Sequence, residues 1–404
     1  MTPTDKQLDA LRAWSQDQLP RFIEDLRTLV NTDCGSYTKA GVDEVGRWTG
    51  AALERIGAKV DYRASAELGD TVVARFGGAP QGPSVLLIGH LDTVFEPGTA
   101  AERPFRIEGN RAYGPGVTDM KSGLLAGIYA IEAIRALPSV GQPAGAPWPF
   151  HSVVFVANPD EEIGSPVSSP IIREVAAESD LCLVLECARA NGDIVSSRKG
   201  IVDLRLRLQG RAAHAGVEPE KGRSAILEAA YKTIALHRLN DAGSGVSCTV
   251  GVLRGGSRPN VVPEEAMLEV DLRATSRADL EAAEARLHAI ADRSTVPDVT
   301  TVVEVMGRHW PMEKLEASER LLSHARRVAE RLGFPLRDAA TGGASDANTT
   351  AGMGLPTLDG LGPIGGSDHS PAEYLELDSI VPRVTLLAGL LLAIGADPES
   401  SLKK

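Results

Sequence analysis

The sequence predicts an α/β protein: a largely parallel sheet with helices on both faces, interrupted by an inserted ferredoxin-like (βαββαβ) domain. Three observations predict this. Short segments that are apolar throughout, at 85–89, 152–157 and 181–185, alternate with helical stretches, as strands buried on both faces do. Near residue 200 the texture changes: Val202, Leu204, Leu206 and Leu208 alternate with polar neighbours, the mark of a strand with one wet face. After residue 311 the first texture returns. The expected organisation is a discontinuous first domain, 1–199 with 311–404, and an inserted domain at 200–310.

The elements follow in order. Apolar residues at helical spacing predict helices at 7–29 and 42–56. Short apolar runs predict strands at 72–76 and 85–89. Leu124, Leu125, Ile128, Ile131 and Ile134 form one stripe of a helix at 124–137. A Pro/Gly-rich loop follows at 138–149. A strand at 152–157, a helix at 171–177 and a strand at 181–185, ending in Glu186, complete this part. The insert reads as strand, helix (224–237), strand (246–253), strand (267–273), helix (277–292), strand (300–305), the split-βαβ plan. A helix at 318–332 and a Gly-rich turn at 341–347 come next. Asp378 is the expected N-cap of a last helix carrying the apolar run 384–396, a run too short to span a bilayer.

Composition narrows the function. The chain has 404 residues, 43% hydrophobic and 24% charged, enough for a sizeable core without staples. A net charge of −12 argues against nucleic acid and anionic membranes as partners, and 4% aromatics argues against base-stacking platforms. The N-terminal segment has no apolar run followed by small residues, so no signal peptide is expected and the cytoplasm is the expected location. Four cysteines (Cys34, Cys182, Cys187, Cys248) form no CxxC pair; Cys182 and Cys187 flank a buried strand as core thiols.

Acids and histidines gather where strands end. His90 and Asp92 follow the strand 85–89, Glu161 and Glu162 follow 152–157, and Glu186 follows 181–185. Asp119 sits where a Gly-rich turn enters the helix 124–137. In open parallel sheets ligands collect at the carboxyl ends of the strands. So many carboxylates in one cleft repel one another unless cations lie between them. Imidazole with carboxylate is the donor set for Zn²⁺ and related divalent ions. A lone histidine after a strand is more often a satisfied core residue, and adjacent acids are more often a solvated turn; the combination favours ligands.

The chain resembles the M20 family of metallopeptidases, and within it the glutamate carboxypeptidase (carboxypeptidase G2-like) branch. The resemblance rests on His90-Leu91-Asp92-Thr93-Val94, Gly114-Pro115-Gly116-Val117-Thr118-Asp119-Met120-Lys121, Asp160-Glu161-Glu162-Ile163-Gly164-Ser165, Ser367-Asp368-His369-Ser370 and the 24-residue spacing of Glu162 and Glu186. It implies two divalent ions, with zinc expected. His90, Asp119 and Glu186 would hold one, and Asp119, Glu162 and His369 the other, Asp119 bridging. It further implies that Asp92 accepts the other N–H of the His90 imidazole and that Glu161 is the proton-transferring base. In the insert, His214 would help hold the oxyanion, Asn260 would contact substrate, and Arg273 would fork onto its α-carboxylate. Gly343, in the turn 341–347, would offer a backbone N–H to substrate. The implied substrate is a small amino-acid conjugate or short peptide, and the implied assembly a homodimer through the insert.

Competing chemistries lack their signatures. Gly114-Pro115-Gly116 has Asp119 where a dinucleotide fingerprint needs a third glycine, and HExxH, P-loop and GxSxG patterns do not occur. His151, His237, His288, His309 and His324 carry no motif and are expected to be structural or solvated. A non-catalytic binding protein on the same fold would show a damaged cluster, and every cluster position here has the right residue type.

Overall fold

The computed structural model describes residues 3–137 and 148–397; most of the Pro/Gly-rich loop expected at 138–149 lies outside them. The chain divides into two compact units. One comprises Met1–Ser196, Lys314–Ala340 and Ser345–Lys404; the other comprises Ser197–Glu313 and Thr341–Ala344.

The first unit is built on a six-stranded sheet in the order Lys59–Arg63, Thr71–Gly77, Ser152–Asn158, Ser84–His90, Leu181–Val184, Thr357–Leu358. The last four strands run parallel and the first two join antiparallel at one edge. Every residue of Ser84–His90 is buried, which is why that segment carries no alternation. Helices Asp5–Val30, Ser122–Ala136 and Ile380–Gly395 pack on one another and share a core with the sheet.

Three details differ from expectation. Asp378 does not cap the last helix: it lies in a short turn, Leu377–Ser379, and the helix begins at Ile380 behind Ser379. Taken with that turn, Leu377–Gly395 is 19 residues long and apolar enough to cross a bilayer, yet 83% of that window is buried inside the protein. Its one buried cation, Arg383, donates to the carbonyls of Gly192, Gly360 and Gly362, which satisfies a guanidinium that would be costly to leave in an apolar medium. The Gly-rich turn at 341–347 is in part a helix, Asp346–Gly352, whose Ser345 hydroxyl accepts the Ala347 N–H.

The second unit is a four-stranded antiparallel sheet in the order Ser247–Gly255, Glu265–Ala274, Gly200–Gln209, Thr300–His309, with helices Ala225–His237 and Arg277–Asp292. One face of Gly200–Gln209 packs Val202, Leu204, Leu206 and Leu208 into a core; the other pairs Arg205 with Glu269 and Arg207 with Glu304. Ser224 and Ser276 cap the two helices through their hydroxyls. Thr341–Ala344, read from sequence with the first domain, groups here. Lys199 N–H donates to Thr341 O, Arg198 to Gly343 O, and Arg273 to Gly342 O.

Candidate metal centre

Parallel register brings the three strand ends level. Ile88 stands opposite both Val156 and Val184, and His90 opposite Asn158. The residues that follow each strand therefore leave the same rim of the sheet. His90 ends its strand; Glu161 and Glu162 form a short turn, Glu161–Ile163, and Glu186 lies just beyond Leu181–Val184. Asp119 enters from an irregular turn, Val117–Lys121, ahead of helix Ser122–Ala136. His369 enters from a loop in which Ser367 and His369 hold left-handed backbone, φ 59° and 61°. Such backbone is costly for residues with a Cβ and tends to mark functional loops.

The side chains converge. His90 Nε2 lies 3.1 Å from Asp119 Oδ1 and 3.8 Å from Glu186 Oε1. His369 Nε2 lies 3.0 Å from Asp119 Oδ2 and 3.1 Å from Glu162 Oε2. Asp119 thus places one oxygen against each imidazole. Among the described residues two sets bring their donor atoms within 4.8 Å of one another: His90 with Glu161 and Glu186, and His90 with Asp119 and Glu162. Glu161, read from sequence as a base alone, stands within the first set.

Asp92 does more than face the imidazole. His90 Nδ1 is 3.0 Å from the Asp92 carbonyl oxygen and 3.4 Å from its carboxylate. That carboxylate accepts the Ser36 hydroxyl (2.6 Å) and the backbone N–H groups of Glu161 and Glu162 (3.2 Å each). A buried aspartate on one strand end therefore fixes the turn on the next.

The electrostatics favour a cation. Burial works against a charged His90, but its bonds to Asp119 and Asp92 lift it well above the usual imidazole range. Bonds to Asp119 and Glu162 raise His369 to about 11. Burial, reinforced by Glu186, pushes Glu161 well up, and burial raises Glu162. Asp119 stays ionised: burial opposes its charge, but His369 and His90 hold it far below the usual carboxylate range. Both imidazoles, each set between carboxylates, are thus shifted toward their protonated, cationic form. Divalent ions supply the same positive charge, and the imidazole–carboxylate donor set suits them.

In the second unit His214 and Asn260 are neighbours. His214 pairs with Val261 in a two-stranded ladder, and the Asn260 carbonyl accepts the Ala215 N–H at 3.0 Å. Both side chains are exposed. Arg273 forks onto Asp271 through Nε (2.8 Å) and Nη2 (2.7 Å), while Nη1 donates to Gly342 O at 2.8 Å. Two of its five N–H donors have no protein acceptor among the described residues. The Gly343 carbonyl accepts from Arg198 at 3.1 Å.

Sequence reading missed two contributors to the centre. Ser36 sits in a loop with no motif. Glu373 accepts three backbone N–H groups from the turn that carries Asp119. The only sequence signal for it is an acid four residues after His369.

The model of peptidase family M20/M25/M40 matches residues 86–393. The chain belongs to that family. It is 30% identical to carboxypeptidase G2 of Pseudomonas sp. (strain RS-16) over 385 residues, covering 94% of this chain and 91% of that protein. It is 29% identical to succinyl-diaminopimelate desuccinylase of Cupriavidus taiwanensis over 297 residues, 70% of this chain and 73% of that one. Its fold is similar to the crystal structure of aminopeptidase PepT from Bacillus cereus, with a TM-score of 0.77, 22% identity, and coverage of 93% of this chain and 98% of that one. M20/M25/M40 membership makes the chain a hydrolytic enzyme of a metal-using family, on a mixed α/β fold.

Proposed function

We propose that this M20-family chain is a dinuclear amidohydrolase. It removes a C-terminal amino acid, with glutamate the leading choice, from N-acyl or peptidyl substrates. One observation carries the reading: Asp119 shares its two oxygens between His90 and His369 while Glu162 and Glu186 close on the same imidazoles. In this reading His90, Asp119 and Glu186 hold one zinc ion and Asp119, Glu162 and His369 the other. Bound divalent ions supply polarisation of the scissile carbonyl and a more acidic water. Glu161 accepts a proton from the attacking water and returns it to the leaving amine; its burial-raised carboxyl suits that task. Asp92 keeps Glu161 and Glu162 in place through their backbone N–H groups. Arg273 pairs the substrate α-carboxylate with its remaining donors. His214, Asn260 and the Gly343 N–H steady the rest of the substrate.

Support for a carboxypeptidase comes from the 30% identity to a protein named carboxypeptidase G2, and the choice of glutamate from the resemblance of the motifs to the glutamate carboxypeptidase branch. The similarity to a succinyl-diaminopimelate desuccinylase favours a second reading, an N-acyl-amino-acid deacylase or dipeptidase on the same metal core. Exposed Leu227, Tyr231, Ile234 and Leu253 on the second unit support a homodimer through it. The test is a panel of N-acyl amino acids and dipeptides, assayed with zinc and with chelator. Preference for N-acyl-glutamates supports the first reading, preference for other N-acyl amino acids or for dipeptides the second. Chelator-insensitive turnover, or full turnover by Glu161→Gln, refutes both.

A further inference from the structure

Glu373 is buried and sits in the loop that delivers His369. That loop is closed at its base by pairing of Gly365–Gly366 with Tyr374 and Leu375, and Tyr374–Glu376 pairs in turn with Arg111–Tyr113. From this fixed position Glu373 Oε2 accepts the Gly116 N–H (2.9 Å) and Oε1 accepts those of Thr118 (2.9 Å) and Asp119 (3.1 Å). The same hairpin presses on the same turn elsewhere: a Cβ on Gly365 would stand 2.1 Å from Thr118 Oγ1.

We propose that Glu373 is a positioning residue that locks the Gly116–Asp119 turn onto the His369 loop and so sets the spacing of Asp119 and His369. The proposal rests on the metal reading of the site. Asp119 and His369 are 250 residues apart in sequence, and their approach must be enforced by something that touches both segments. Glu373 does: its backbone belongs to the His369 loop and its carboxylate to the Asp119 turn. Only a carboxylate fits. Both oxygens must accept, and the amide of glutamine would turn an NH₂ toward at least one backbone N–H. Burying an ion is costly, and three N–H donors offset part of that cost here. Neither donor set nor geometry makes Glu373 a ligand in this arrangement; it acts through Asp119.

The test titrates the chelated full-length protein with Co²⁺, following heat and visible absorption. The wild type is expected to take up two equivalents. Glu373→Gln is expected to bind the second at least tenfold more weakly with an altered Co²⁺ spectrum. Asp180→Asn is the control. Asp180 is also a buried carboxylate accepting a backbone N–H, from Ser84 at 2.7 Å, but at the other end of the strand that leads to His90. It is expected to lower the melting temperature and leave the Co²⁺ titration unchanged. An unaltered Glu373→Gln titration overturns the proposal. So does equal weakening in both variants at equal loss of melting temperature. Should Glu373→Gln not fold, Glu373→Asp decides by the same titration: a weakened second equivalent supports the proposal and an unchanged one overturns it. A wild-type chain that takes up no cation sinks the metal reading and this proposal together; a wild type binding two beside an unchanged variant sinks the proposal alone.

Discussion

His369 Nε2 stands 3.0 Å from Asp119 Oδ2, while the other oxygen of that carboxylate stands 3.1 Å from His90 Nε2. One aspartate thereby joins imidazoles from the first and last parts of the chain. Asp119→Asn keeps the shape and removes the charge and one acceptor. Its expected cation affinity falls by more than the roughly 10–100-fold typical of losing an outer-shell partner. Metal content after dialysis, measured beside circular dichroism to show retained fold, checks this.

Glu161→Gln is expected to keep cation uptake within a few-fold and to lower kcat by about 10²–10⁴, the usual worth of a positioned base. Steady-state kinetics on the best substrate of the panel, with metal content measured in parallel, separates base from ligand. A variant that loses both together places Glu161 among the ligands, as its proximity to His90 and Glu186 allows.

Cation uptake is expected to release protons. Without a cation His369 is raised to about 11, so it carries its proton at neutral pH, and His90 is shifted in the same direction by its bonds to Asp119 and Asp92. Ligation needs them neutral, so apparent affinity rises with pH. Calorimetry in buffers of different ionisation enthalpy reads the proton count directly.

The same shifts set the stability of the chelated protein. The folded His369 holds its proton above the ordinary pKa of 6.5, so its stabilisation is fully present below that value and is lost as pH rises toward about 11. Glu373, raised by burial to about 7, acts in the same direction between 4.5 and about 7. The melting temperature of the chelated chain is therefore expected to fall from acid-neutral to alkaline pH, and metal loading to flatten that fall. Scanning calorimetry across pH 5–10, with and without Zn²⁺, checks the sign.

In the second unit Lys232 and Glu228, both buried, meet at 3.1 Å. Lys232 also donates to the carbonyls of Ile290, Ala291 and Arg293 at the end of helix Arg277–Asp292, and Glu228 accepts from Thr295 and Val296. Lys232→Met removes the buried cation beside Glu228, at an expected cost of about 3–5 kcal/mol; the double variant Glu228→Gln with Lys232→Met costs less than the sum. Urea unfolding of the full chain gives both values.

Much of this was legible in one dimension. The apolar runs before His90, Asp160 and Glu186 announced strands buried on both faces, and the alternation from Val202 announced a sheet with one wet face. Those signals are local, because a strand's surroundings are written in its own residues. Asp378 misled because a capping side chain and a turn acid look alike until the backbone is seen. The helix Asp346–Gly352 hid behind Gly342 and Gly343, since only Ala344 separates its Ser345 cap from these two strong turn residues.

Which groups are present is written along the chain: the two imidazoles, the carboxylates at strand ends and the periodicities that make the sheets. Their pairing emerges with the folded arrangement alone. Glu373 beneath the Asp119 turn, Ser36 on Asp92, and Thr341–Ala344 joined to the second unit are contacts between distant segments. No local pattern encodes such contacts. They exist because packing the elements leaves each buried polar group to find its partner wherever the chain has been brought alongside.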